Sequence, residues 1–133
     1  MSHSFVGKVE YINAASNAGI TMPAYDLVAG QTVSVEVGWE NGGADDPATI
    51  SIVDTAGNTS ADGDYVLAAV RASGTAQSKK AFIYVLLNAG ASQAGNVTTI
   101  SLSAARDSRQ AIVKRFTSTG IGAGAAAERS SRA

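Results

Sequence analysis

Residues 53–60, VDTAGNTS, decide how this chain is read. Asp54 stands beside the hydroxyl of Thr55, and Gly57 and Asn58 follow at once. The stretch is either a catalytic loop or a tight connection between two strands. The flanking residues favour the connection. ATISIVD (48–54) alternates, with Ile50 and Ile52 on one face. QTVSVEVGW (31–39) puts Val33, Val35, Val37 and Trp39 on one face and Thr32, Ser34, Glu36 and Gly38 on the other. Period-two alternation of this kind predicts half-buried antiparallel strands. Between strands, Asp accepts turn N–H groups, and Gly or Asn takes positive φ.

The catalytic readings of Asp54 need companions. A magnesium-facing Asp of a nucleotide hydrolase needs a phosphate loop, G-x-x-x-x-G-K-[ST]. The chain's Gly7-Lys8 is followed by Val9 and does not supply one. An aspartic-protease turn needs a paired carboxylate, which a short chain could gain by dimerising, and it needs Gly where Ala56 stands. Asp54 is therefore read as a turn residue.

Further alternating or apolar runs are SFVGKVEYI (4–12), YVLAAVRA (65–72, less regular), the segment 80–88 with Lys79 before it, NVTTISLSA (96–104) and QAIVKRFTS (110–118). Segment 80–88 is apolar on both faces, as in a central strand or one covered by a partner. In 96–104, Thr98, Ile100 and Leu102 share a face. Clusters of Gly, Asn, Asp and Ser at 13–19, 40–47, 54–58, 61–64, 72–78, 88–96 and 105–109 read as turns. Seven or eight short strands with regular turns predict an all-β antiparallel sandwich, jelly-roll-like in outline, or a barrel, over residues 1–118. Residues 119–133, Gly/Ala-rich and basic at the end, read as a flexible tail or arm.

Length, 133 residues, predicts one domain with a sizeable core. Cysteine is absent, which excludes disulfides, thiol nucleophiles and thiolate metal sites. No run approaches the ~20 apolar residues of a membrane-spanning helix. The start, MSHSFVGKVEY, lacks the apolar core of an export signal, so the expectation is a protein made in the cytoplasm. Net charge is −1 but uneven. Residues 9–70 hold nine acids and no Lys or Arg; residues 71–133 hold nine bases and two acids. Such a split marks a charged partner or electrostatic self-fit, unless the fold interleaves the halves.

Other candidate sites carry little chemistry. GIGAGA (120–125) matches a dinucleotide loop in form, but only eight residues follow it. His3, the one histidine, is near the chain end, where a Ser-His-Asp triad is hard to build. The acid pairs Asp45-Asp46 and Asp62/Asp64 offer oxygens for calcium without the EF-hand spacing, and read as solvated turns. Lys79-Lys80 with Phe82 and Tyr84 is a weak nucleic-acid footprint on a chain of pI near 5.7. Asn58-Thr59-Ser60 and Asn96-Val97-Thr98 are glycosylation sequons that stay idle without export. No catalytic, cofactor-binding or metal residue is expected.

In order, AGQTVSVEVGWE (29–40), TISIVDTAGNTS (49–60), AFIYVLLNAG (81–90), VTTISLSAA (97–105) and AIVKRFTS (111–118) resemble an immunoglobulin-like β-sandwich module of phage virion and bacterial surface proteins. The resemblance covers about residues 27–118. It places Trp39 in the core and Asp54 to Thr59 in a hairpin. Ser60 stands where the module has an aromatic, and residues 61–64 extend the turn. The module has no catalytic residues, so the resemblance implies a non-enzymatic protein. A chain without an export signal suits a virion component: a capsid decoration protein or a small head or tail subunit. Its partners would be capsid or other virion proteins and further copies of itself, with no nucleic acid, membrane or cofactor. The alternative is a monomeric module that binds carbohydrate or a host surface.

Overall fold

The computed structural model describes residues 2–41, 47–72 and 78–119. They form nine strands: β1 (Ser2–Asn13), β2 (Asn17–Thr21), β3 (Tyr25–Leu27), β4 (Thr32–Asn41), β5 (Ile50–Asp54), β6 (Tyr65–Ala72), β7 (Ser78–Leu86), β8 (Gln93–Asn96) and β9 (Thr98–Thr119). All pairings are antiparallel. The fold is all-β and sandwich-like.

The principal layer runs β1-β9-β4-β7-β6. The opposing strands β2 and β5 flank the first part of β9, and β3 pairs with β8 as a small separate ribbon. Alternation explains the core. Val33, Val35, Val37 and Trp39 of β4 are all buried, as their shared face predicts. Ile50 and Ile52 of β5 meet Ile100 and Leu102 of β9 across the ladder, and these four join the same core. Trp39 stacks beside Phe82 with ring centroids 5.5 Å apart.

The strand assignments correct several expectations. First, residues 105–109 do not form a turn: β9 is one strand of 22 residues. Its first part pairs with β2 and β5, its second with β1 and β4. The turn-like residues mark where the strand changes company. Ser108 has φ 48°, and the β4 register slips between Gly38 and Glu40. A bulge of this kind bends a strand from one layer into the next. Second, clusters 13–19 and 88–96 are not only turns. They contain the start of β2 and all of β8. Third, β3 went unpredicted, being three residues long. Thr119, assigned to the tail from sequence, is the last residue of β9 and pairs with Ser2. The remainder of the tail, 120–133, lies outside the described residues.

Arg109 secures the bend. It is 1% exposed. Its guanidinium donates to the Ala15 and Gly19 carbonyls and to the Tyr11 hydroxyl. These acceptors straddle the β1–β2 connection, so one side chain ties that connection to the bend. The opposed charges also mix here. Acidic β4 lies between basic β7 and β9, with Glu40–Lys79 at 3.2 Å and Glu36–Lys114 at 2.9 Å.

Candidate functional site

The Asp54 stretch folds as a hairpin turn. Asp54 N–H donates to the Asn58 carbonyl, and Gly57 N–H donates to the Asp54 carbonyl, each at 3.0 Å. Gly57 takes φ 97°, which a side chain would resist. The Asp54 carboxylate is buried and fully engaged. It accepts from Asn58 N–H (2.9 Å), from Asn58 Nδ2 and from the Tyr65 hydroxyl (2.7 Å). Asp64 accepts the Thr59 N–H at 3.0 Å, and Thr59 Oγ1 accepts the Asp62 N–H. The carboxylates of Asp54 and Asp64, with the Asp62 N–H, close the turn.

A polar network continues inward. The Tyr25 hydroxyl is 2.8 Å from Thr98 Oγ1 and accepts from Asn96 Nδ2 at 3.0 Å. Asn96 Oδ1 in turn accepts from Thr55 Oγ1 and Ala56 N–H. Burial pushes both the Tyr25 and Tyr65 phenols up from the ordinary tyrosine value. For Tyr65, the facing Tyr25 and Asp54 add to that rise. The network fastens one end of the molecule, and its one carboxylate is held by three donor groups. Among the described residues no group of three His, Asp or Glu is placed to hold a metal ion.

The remaining sequence candidates are dispersed. Lys79 pairs with Glu40, whereas Lys80 donates to the Ala48 carbonyl (2.8 Å) and lies over the Phe82 ring. Phe82 is buried, so the basic-aromatic surface is not assembled. His3 pairs with Ser118 in the ladder. Of the sequons, Asn96 is fully buried and Asn58 is spent on Asp54. Asp45-Asp46 and GIGAGA lie outside the described residues.

Two surfaces remain. One is an open trough of about 710 Å³ on the outer face of the main layer. Gly38 and Ala81 form its floor, with Ile83, Ile112, Glu40 and Arg71 around it. The other is β6, the edge strand of the main layer. Only Tyr65 of β6 is buried, and the next seven residues are all exposed. Leu67 and Val70 lie opposite Tyr84 and Phe82 on the core-facing side, yet are 44% and 51% exposed. The opposing layer is too narrow to cover them. Sequence reasoning read β6 as a less regular strand and drew nothing further from it. The available signal was its lack of alternation, since VLAAV is apolar on both faces.

No family model, no curated protein and no solved structure matches this chain.

Proposed function

We propose that this chain is a non-enzymatic structural protein of a phage virion, a capsid decoration protein or a small head or tail subunit, acting through protein–protein contacts. β6 is the observation that carries the mode of action. A sheet edge whose last seven residues, 66–72, are exposed and apolar on both faces apart from Arg71 leaves backbone groups and side chains ready for another polypeptide. The virion setting rests on the resemblance across residues 27–118. In purified particles of the phage that encodes it, this chain is expected at a fixed copy number relative to the major capsid protein. Particles that lack the chain, or carry it in irregular trace amounts, would contradict the reading.

The trough favours a second reading, a module that binds carbohydrate or a host surface. Sugar sites usually present an aromatic platform, and the adjacent Trp39 and Phe82 are turned into the core. Protein contact is therefore the better-supported reading. A reproducible glycan-array signal, lost in Gly38→Val, would transfer the function to the trough.

A further inference from the structure

We infer that the trough binds an aliphatic monocarboxylate, laid across the strands with its carboxylate on Arg71. This site is independent of the contact proposed for the β6 edge.

The floor is one cross-strand row, Gln110–Gly38–Ala81–Arg71, which runs over β9, β4, β7 and β6. Three strand spacings make it about 14 Å long. The next row supplies an apolar wall, Ile112 and Ile83 on either side of Glu36. The Glu40–Lys79 ion pair stands along the other side. A volume of about 710 Å³ is that of a small-molecule site.

Gly38 is the unexpected residue. A glycine inside a strand weakens it, and often marks a bulge or a place where a ligand comes close. The β4 register against β9 does slip between Gly38 and Glu40. That slip does not demand glycine. Gly38 takes no positive φ, and a Cβ there would meet only the Lys80 carbonyl oxygen at 3.5 Å and the Ala81 Cβ at 3.8 Å, which are ordinary contacts. What the missing side chain provides is the open floor.

The floor selects the body of the ligand. Gly38 and Ala81 bring no polar side chain. Their strands are paired on both sides, so the backbone groups are committed to the ladders. A sugar lying there would leave hydroxyls without partners, whereas a hydrocarbon chain has none to satisfy. Charge selects the head. Glu36 is matched by Lys114 and Glu40 by Lys79, while Arg71 has no ion pair among the described residues. The trough thus carries one unmatched positive charge. A carboxylate fits the guanidinium fork and supplies one negative charge. A dianion would be repelled by both glutamates.

Decanoate is the probe, read by amide chemical shifts of the isotope-labelled chain, with decanol as the uncharged control. Saturable shifts are expected at Gly38, Arg71 and Ala81, with a Kd of about 1 mM or tighter. Decanol should bind at least about threefold more weakly. Arg71→Gln should reduce decanoate binding to the level of decanol and leave decanol unchanged. Gly38→Ala should move stability and binding in opposite directions. Its melting temperature should rise by about 1–4 °C, because the new side chain suits the backbone. Its decanoate affinity should fall at least about threefold, because the floor is filled. No saturable shift, shifts centred on Leu67 and Val70 instead, or decanoate binding indifferent to Arg71→Gln would overturn the inference. A lower melting temperature in Gly38→Ala would mean that the fold itself requires the glycine and would overturn it too, as would unchanged affinity in that variant.

Discussion

The Tyr65 hydroxyl donates to Asp54 Oδ2 at 2.7 Å, in the buried interior. This bond ties the last residue of β5 to the first residue of β6, across a turn held by Asn58 and Gly57. A hydrogen bond to a charged acceptor contributes about 1.5–3 kcal/mol net. Tyr65→Phe is therefore expected to lower the melting temperature by about 5–10 °C. Asp54→Ala should cost more, because the Asn58 donors lose their acceptor as well. Calorimetry on both variants checks the order. Equal, negligible losses would contradict the role given to Asp54.

The same network predicts alkaline behaviour. Burial raises the Tyr65 and Tyr25 phenol pKa values in the folded chain above the ordinary value near 10. The unfolded chain thus releases these protons first. Their contribution to stability is complete below about pH 10 and is lost as pH climbs toward the folded values. Absorbance at 295 nm, followed together with circular dichroism, should show these two phenols ionising with unfolding. In Tyr65→Phe that step should shrink by one phenol. Ionisation of both before any loss of structure would contradict their burial.

Arg109 and Ser108 make the bend of β9 testable. Arg109→Met would remove the guanidinium bonds to the carbonyls of the exposed residues Ala15 and Gly19, at about 0.5–1.5 kcal/mol for each bond lost. Ser108 holds φ 48°, where a side chain is strained. Ser108→Gly is expected to be neutral or to stabilise by up to about 1 kcal/mol, and Ser108→Val to destabilise. Denaturant unfolding measures both. A destabilised Ser108→Gly would mean that the bend depends on the serine side chain.

Ile100 is fully buried between β2 and β5, opposite Ile20 and Ile52. Ile100→Ala should cost about 2–5 kcal/mol by removing packed methylenes from the core. A loss below about 1 kcal/mol in urea unfolding would contradict its central place.

The layer pattern was readable because one face of each strand is buried. Val33 to Trp39, Ile50 with Ile52, and Thr98 with Ile100 and Leu102 fall on the faces that alternation assigns. The Asp54 turn was readable from Asp, Gly and Asn at turn spacing. Three features hid, each for its own reason. At 105–109 the polar residues belong to a bulge, and a bulge uses the same residues as a turn. The first part of β9 is extended on the far side of it because Arg109 reaches the β1–β2 connection, a contact 90 or more residues away in sequence. β3 and β8 are short and take their order from Tyr25 and Asn96, whose partners are equally remote. The exposed face of β6 was hidden because local pattern reports that a face is apolar, whereas the width of the opposing layer decides whether it is covered.

The central claim is that this chain works by joining another polypeptide through β6. Amide hydrogen exchange, read by mass spectrometry on the free protein and on the assembled form, tests it most directly. Residues 65–72 are expected to exchange more slowly on assembly, with the β1 peptides unchanged. Equal exchange of 65–72 in both states, with new protection at β1 or around the trough instead, would contradict the account.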